Sequence, residues 1–259
     1  METSCECGEK RAVVFDSGIG GLKLLYECYK IAPCVHYFFI SDNGNVPYGN
    51  RTSEEILSLT LAALNGIEKL KPDALVVACN TVTAHCIDRL RARYSFPVVG
   101  IQPAIKQAVK AGEKCLVLAT EATVKSPSFL SLINKFSTPE TKVAGCKNLA
   151  AFIEKNVLNL PCDLPDGLLP MEEADCVVLG CTHYSFVKEQ IERRYQCPVF
   201  DGFAGTAAHF LQILGTGDHF CTPTGNFDHL ADKEPKVTFL RGDFVKNKLI
   251  FESLFAIKR

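Results

Sequence analysis

The chain has 259 residues, of which 47% are hydrophobic and 22% charged, and its formal net charge is −1. This length allows one large domain or two small ones, and the balanced charge excludes a general attraction to nucleic acid or anionic lipid. Its start lacks the apolar segment of a secretory signal, and its apolar runs are shorter than the ~18 residues of a membrane span. Its 13 cysteines favour a reducing compartment, so we expect a cytoplasmic protein with no nucleic-acid or membrane partner.

Short β-branched runs alternate with helical patterns along the chain, which is typical of βαβ units and parallel sheets. The sequence therefore predicts an α/β fold, with proline-rich and glycine-rich loops at 159–173 and 215–235. Strands are predicted at 11–15, 35–40, 73–78, 115–119, 141–145, 175–179 and 236–240, and helices at 20–31, 53–69, 83–94, 103–111, 123–135, 184–195 and 243–256.

Two parts of the chain resemble each other. The segment DALVVACNT (73–81) aligns with DCVVLGCTH (175–183), and the match continues into RLRARYSFPVVG and QIERRYQCPVFDG. A weaker match relates AVVFDSGIGG (12–21) to CLVLATEATV (115–124). This repeat predicts two similar lobes with mainly parallel sheets, related by a pseudo-two-fold axis, and an active site in the cleft between them. We expect residues 11–98 plus 208–259 in the first lobe and 99–207 in the second.

Cys79 and Cys181 each follow a predicted strand at its carboxyl end. Ligands of open α/β sheets bind beyond these ends, so in facing lobes the two thiols would approach one cleft from opposite sides. Inversion of a stereocentre by proton transfer needs a base on one face and an acid on the other. A thiol, with an ordinary pKa of about 8.5, suits both roles.

Residues near the two thiols offer each a proton partner. His183 lies two residues beyond Cys181, and Asp16 ends the first predicted strand, where the fold can bring it beside Cys79. Asn80, Thr81 and Thr182 add hydrogen-bonding groups at the same strand ends. The following cysteines are instead expected to be buried apolar side chains: Cys28, Cys86, Cys115, Cys146, Cys162, Cys176, Cys197 and Cys221.

Two turns lie near the expected cleft. The turn DSGIGG (16–21) could aim backbone N–H groups at an anion, and it lacks the lysine of a P-loop and the glycine spacing of a dinucleotide site. It therefore favours a carboxylate over a nucleotide, although a tight turn that merely needs glycine explains the pattern equally well. The turn VPYG (46–49) would present the phenol of Tyr48 and the amide of Gly49 at the cleft mouth.

Six motifs together resemble the cofactor-independent glutamate racemases. They are FDSGIGGL, DNGNVPYGNR, VVACNTVTA, VVGIQPAIKQA, ATEATVKS and VLGCTHY, which occur in that family's order from Val13 to about Asp201. The resemblance implies two α/β lobes and an active site between them. It also implies interconversion of L- and D-glutamate for peptidoglycan, with no cofactor and no metal.

The resemblance also implies residue roles. Cys79 takes the α-proton from D-glutamate with help from Asp16, and Cys181 takes it from L-glutamate with help from His183. Glu154, after GCKNLAAFIE, matches a carboxylate that supports this histidine. The implied substrate contacts are Asp16, Ser17, Tyr48, Gly49, Asn80, Thr81, Thr123, Thr182 and His183.

The chain departs from the family pattern at Gln102, Ser185 and Gly202, where glutamate, proline and serine are frequent, and the segment before Cys181 is shortened. DNGNVPYG and GIQPAIK resemble the branch from enteric bacteria, whose members are activated by a muramoyl-alanine nucleotide. The expected partner is glutamate, and such an activator and a homodimer stay open.

Other protein classes fit the pattern less well. A related decarboxylase keeps one of the two cysteines, whereas aspartate and hydantoin racemases keep both. A two-lobed solute-binding protein would need an export signal, and a redox protein would have its cysteines in a C-x-x-C. The alternative is therefore an aspartate racemase or another two-cysteine amino-acid racemase.

Overall fold

The computed structural model describes residues 10–215 and 235–256. In this part of the chain, strands and helices alternate as the hydrophobic pattern predicts. The strands are β1 Arg11–Asp16, β2 His36–Ser41, β3 Ala74–Val77, β4 Val98–Gly100, β5 Cys115–Ala119, β6 Lys142–Gly145, β7 Cys176–Gly180, β8 Val199–Phe200 and β9 Val237–Arg241. The α-helices are α1 Gly21–Ile31, α2 Ser53–Ala63, α3 Asn80–Arg93, α4 Ile105–Ala108, α5 Glu121–Lys125, α6 Pro127–Phe136, α7 Leu149–Asn156, α8 Lys188–Tyr195, α9 Phe203–Ile213 and α10 Phe244–Ala256. Short 3₁₀ helices cover Tyr48–Asn50, Ile67–Leu70, Val157–Asn159 and Thr182–Val187.

The strands form two fully parallel sheets. The five-stranded sheet has the order β4-β3-β1-β2-β9, and the four-stranded sheet has the order β6-β5-β7-β8. Read from the opposite edge, the second sheet repeats the order of the first, with β5 in the place of β1 and β7 in the place of β3. The predicted α/β class with two similar parallel lobes is therefore confirmed.

Each sheet carries helices on both faces, so the strands are apolar on both sides. In β1, Ala12 and Val14 pack into the cluster formed by α1, α9 and α10, while Val13 and Phe15 pack on the opposite face against α2 and α3. The second sheet likewise separates two apolar clusters. These buried strands hold their carboxyl ends in fixed positions.

Local chain chemistry explains where the structure differs from the predicted elements. The long helix predicted over 53–69 ends at Ala63, and Gly66 has a φ of 81° before the next short helix. The helix predicted over 123–135 is interrupted at Ser126, which precedes Pro127 and is extended, with a ψ of 139°. The short strands β4 and β8 lie where the internal repeat continues into a further strand, although no ranges were predicted for them, and the helices α7 and α9 were not predicted.

The predicted loop at 159–173 is confirmed as irregular chain beyond a short 3₁₀ turn, whereas most of the 215–235 prediction lies outside the described residues. Among the helices of the described ranges, none is both long and apolar enough to cross a membrane.

Candidate active site

The candidate site lies where the carboxyl ends of β1, β3, β5 and β7 meet. The hydroxyl of Thr182, after β7, donates to Oδ2 of Asp16 at the end of β1 over 3.0 Å. The backbone N–H of Ile19 donates to Oε2 of Glu154 on α7, also over 3.0 Å. These two hydrogen bonds join the two lobes and bring the two predicted cysteine motifs close together.

Cys79 is positioned by the end of β3 and the start of α3. Its buried Sγ lies 3.3 Å from Oγ of Ser17. Burial, followed by the negative charge of Asp16, raises the pKa of Cys79 to about 12. The thiol therefore holds its proton at neutral pH and needs a neighbouring base in order to release it.

Asp16 is fully buried at the end of β1. Its Oδ1 accepts a hydrogen bond from the N–H of Gly18 over 2.8 Å, and its Oδ2 accepts the one from Thr182. Burial raises the pKa of Asp16 to about 6, although the charge of His183 and these hydrogen bonds oppose the rise. A carboxyl group that titrates this close to neutral pH is suited to exchanging a proton with a thiol.

Cys181 lies beside a different ionisable side chain. Its Sγ lies 3.9 Å from Nδ1 of His183, and Nε2 of the same ring lies 2.7 Å from Oε2 of Glu154. Burial disfavours both charges of the His183–Glu154 pair. Hydrogen bonds to Cys181 and Glu154 nevertheless raise the pKa of His183 well above its ordinary value. Contacts with His183, Ile19 and Asn43 lower the pKa of Glu154 to about 2. The pair therefore holds a ring nitrogen of His183 beside Cys181, where it can exchange a proton with the thiol.

The glycine-rich turn after β1 lies tightly against the second lobe. A Cβ at Gly20 would overlap the side chain of Thr182, and one at Gly18 would overlap the carboxylate of Glu154. The anions bound by the N–H groups of this turn are carboxylates of the chain itself, because Gly18 donates to Asp16 and Ile19 donates to Glu154. Here glycine is needed for the close approach of the two lobes.

Tyr48 and Gly49 lie at the same cleft, and both are buried. The hydroxyl of Tyr48 donates to Oδ2 of Asp42 over 2.6 Å, so it is already engaged within its own lobe. Burial, together with this hydrogen bond, raises the pKa of Tyr48. A Cβ at Gly49 would come within 2.5 Å of Cβ of Thr120, which makes this glycine another point of close approach.

Three threonine hydroxyls meet at the start of α3. Oγ1 of Thr81 lies 3.0 Å from that of Thr120 and 3.1 Å from that of Thr123. Asn80, the first residue of α3, and Thr123 also line a cavity of about 270 Å³ between α3 and α6. The predicted residues Asn80, Thr81 and Thr123 are therefore brought together at this side of the site.

Most of the remaining cysteines are buried as predicted, namely Cys28, Cys86, Cys115, Cys146 and Cys176. The prediction was wrong for Cys162 and Cys197, which are partly exposed because they lie in the irregular segment and after α8, while Cys221 lies outside the described residues. Within the described ranges, no group of three or more His, Cys, Asp or Glu side chains is arranged to hold a metal ion.

Two departures from the family pattern have structural explanations. The hydroxyl of Ser185 donates to the carbonyl of Thr182 over 2.7 Å, and its own carbonyl accepts from Lys23 of the first lobe over 2.7 Å. A Cβ at Gly202 would overlap the main-chain oxygen of Gln102. The main chain at Gln102 therefore leaves no room for a side chain at position 202.

Sequence reasoning missed three residues of this site. Thr120 was passed over, although its position at the start of α5 is typical of an N-cap, and its hydroxyl accepts from the N–H of Thr123. Asn43 and Lys246 both contact the Glu154 carboxylate, at 2.7 Å and 3.5 Å. No sequence pattern identified these two, because they lie far from Glu154 along the chain.

Comparison with known proteins gives consistent matches. Residues 29–210 match the Asp/Glu/hydantoin racemase family. The chain is 37% identical over 211 residues to a glutamate racemase of Clostridium botulinum, covering 77% of this chain and 82% of that relative. It is also 37% identical over 215 residues to the glutamate racemase of Clostridium acetobutylicum, covering 79% and 84% of the two chains.

Solved structures show the same relationship. Escherichia coli glutamate racemase, in complex with L-glutamate and the activator UDP-MurNAc-Ala, superposes with a TM-score of 0.71 at 29% identity, covering 82% of this chain and 85% of that one. Glutamate racemase isoform RacE1 from Bacillus anthracis superposes with a TM-score of 0.76 at 26% identity, covering 96% and 94%. Since the match extends over most of the chain in both sequence and fold, the chain belongs to the Asp/Glu/hydantoin racemase family.

Proposed function

We propose that this protein is a glutamate racemase, which interconverts L-glutamate and D-glutamate and supplies D-glutamate for peptidoglycan. The observation that carries the proposal is that Cys79 and Cys181 follow corresponding strands of the two lobes, Cys79 in contact with Ser17 and close to the charge of Asp16, and Cys181 beside the ring of His183. The relatives at 35–37% identity bear the name glutamate racemase. The proposed reaction uses neither a cofactor nor a metal.

In the proposed reaction, one thiol removes the α-proton while the other delivers a proton to the opposite face of the carbon. With D-glutamate, Cys79 is the base, Asp16 assists its ionisation, and Cys181 is the acid. With L-glutamate, Cys181 is the base, assisted by His183 and Glu154, and Cys79 is the acid. In each direction one C–H and one S–H bond break while one of each forms, so protons balance.

Loss of the α-proton increases negative charge on the substrate, and preorganised donors in a buried site can stabilise this charge. The strand ends provide such groups in a cleft from which water is largely excluded. We assign the substrate contacts to Asp16, Ser17, Tyr48, Gly49, Asn80, Thr81, Thr123, Thr182 and His183. In this assignment Tyr48 forms a wall of the site, since its hydroxyl is bonded to Asp42.

The same proposal covers location and partners. The protein acts in the cytoplasm on free glutamate, without nucleic acid or membrane. The E. coli neighbour is bound to L-glutamate and UDP-MurNAc-Ala, which supports glutamate as the substrate and a muramoyl-alanine nucleotide as the activator to be tested. A homodimer and the lobe boundaries 11–98 plus 208–259 and 99–207 are also parts of the proposal.

Incubation with L-glutamate in deuterated water tests this function. The wild type should form D-glutamate with deuterium at the α-carbon, and Cys79→Ala or Cys181→Ala should abolish the reaction. Cys162→Ala, at a partly exposed thiol of the irregular segment, is the matched control and should remain active. Lack of exchange with either isomer, with and without UDP-MurNAc-Ala, would contradict the proposal, and faster turnover of aspartate would favour an aspartate racemase.

A further inference from the structure

We propose that Lys246 and Asn43 are positioning residues for the Cys181 side of the reaction. They hold the carboxylate of Glu154, which in turn holds His183 against Cys181. This inference rests on the proposed function and extends it, because it joins the last helix of the described chain, α10, to one of the two proton-transfer groups.

Both oxygens of the Glu154 carboxylate are engaged. Oε2 accepts from Nε2 of His183 over 2.7 Å and from the N–H of Ile19 over 3.0 Å. Oε1 accepts from Nδ2 of Asn43 over 2.7 Å and lies 3.5 Å from Nζ of Lys246. A buried carboxylate stays ionised only when such donors replace water. The two residues at Oε1 therefore set the orientation in which Oε2 meets His183.

The amide of Asn43 is oriented by the turn between β9 and α10. Its Oδ1 accepts from Oγ of Ser41 over 2.6 Å and from the N–H of Asp243 over 3.2 Å. An amide oxygen only accepts hydrogen bonds, so these two donors direct the NH₂ group towards Glu154. Asn247 of α10 secures the arrangement by donating to Oγ of Ser41 over 2.9 Å.

Lys246 contacts Glu154 at two atoms. Its Nζ donates to the main-chain oxygen of Glu154 over 2.6 Å, in addition to its ion pair with Oε1. Asp243 accepts the N–H of Lys246 over 3.0 Å and so anchors the first turn of α10. Lys246 and Glu154 line a cavity of about 370 Å³, and Lys155 lines the same cavity.

The two thiols should respond differently to the loss of Lys246. Without the positive charge and hydrogen bond of Lys246, the Glu154 carboxylate is less constrained and His183 is less well aligned with Cys181, so we expect Cys181 to react more slowly. Cys79 contacts Ser17 and lies near Asp16, and it has no hydrogen bond to Glu154 or His183 in the described chain, so its reactivity should change much less. A selective effect on one thiol distinguishes positioning from a general loss of folding.

The test compares Lys246→Met with Lys246→Arg and Lys155→Met in the full chain. Lys155→Met removes the same charge from the same cavity, at an exposed side chain of α7. The alkylation of Cys79 and Cys181 by iodoacetamide is followed by peptide mass spectrometry, together with kcat for glutamate. We expect Lys246→Met to slow the alkylation of Cys181 and to lower kcat, each about tenfold, while the alkylation rate of Cys79 stays within about twofold of wild type. In Lys246→Arg and Lys155→Met, both alkylation rates and kcat should stay within about twofold of wild type.

Asn43→Ala provides a second variant, which acts on the same carboxylate oxygen if Lys246→Met fails to fold. Selective slowing at Cys181 in either variant supports the proposal. Equal slowing at both thiols, an equal effect of Lys155→Met, or an unchanged Cys181 overturns it. Alkylation needs no substrate, so a selective response in a protein that does not racemise glutamate would refute only the proposed function.

Discussion

His183 Nε2 lies 2.7 Å from Glu154 Oε2, although 29 residues separate the two in the chain. Glu154 is supplied by α7, and His183 by the short helix that follows β7. Both side chains are buried, so each charge helps to stabilise the other. This contact fixes the ring of His183, whose other nitrogen faces the thiol of Cys181.

The Glu154–His183 pair should make stability depend on pH. Because the pKa of Glu154 is lowered from 4.5 to about 2, its contribution to the free energy of unfolding is present above pH 4.5 and is lost as pH falls towards 2. The pKa of His183 is raised above 6.5, so its contribution is fully present below pH 6.5 and is lost as pH rises through the raised pKa.

Urea unfolding of Glu154→Gln checks this dependence. The free energy of unfolding of this variant should fall furthest below that of wild type between pH 4.5 and 6.5, and the difference should shrink below pH 4.5. Glu140→Gln, at an exposed loop position, should show no such pattern. A deficit that stays constant as the pH is lowered towards 2 would argue against a charged pair.

Protonation of Asp16 should cause the fall in kcat/KM on the acidic side of the pH profile, which is called the acid limb here. Burial raises its pKa from 3.8 to about 6, so the carboxylate that assists Cys79 is lost below that pH. We expect kcat/KM for glutamate to fall below about pH 6. In Asp16→Asn this limb should disappear and kcat/KM should drop at least about tenfold, whereas Asp88→Asn on the exposed face of α3 should match wild type. A limb that persists in Asp16→Asn would assign the titration to another group.

Gly20→Ala should disturb the contact between the lobes. The new Cβ would overlap the side chain of Thr182 and come within 2.8 Å of the backbone nitrogen of His183. Overpacking of this kind costs about 1–3 kcal/mol, so we expect a lower melting temperature and reduced kcat/KM. Gly44→Ala, where a Cβ meets no atom within 4 Å, is the control, and equal behaviour of the two variants would show that the close approach is unimportant.

The sequence predicts the fold and the centre of the site because both depend on local pattern and repetition. Apolar runs mark β3 and β7, and the repeat aligns Cys79 with Cys181 at the ends of these strands. Since parallel strands place their carboxyl ends at one edge, the position of both thiols follows. Asp16 and His183 are found by the same reasoning.

The remaining contacts depend on packing between distant parts of the chain. Asn43 meets Glu154 across 111 residues, and Lys246 meets it across 92. Asn43 lies in the motif DNGNVPYGNR and Lys246 lies in none, but neither position indicates a contact with Glu154, so only the folded arrangement identifies them. The strand β8 has just two residues, too few for an alternating pattern to show.

The central claim is that two thiols act on opposite faces of the substrate, and the first turnover in deuterated water tests it most directly. L-Glutamate is mixed with the protein in deuterated water, and the α-deuterium content of residual L-glutamate and new D-glutamate is measured before the reaction reverses. Two bases predict deuterium in nearly all of the D-glutamate and almost none in the residual L-glutamate, because the delivered proton comes from the second, solvent-equilibrated thiol. D-Glutamate that retains the substrate's own α-proton would contradict the account.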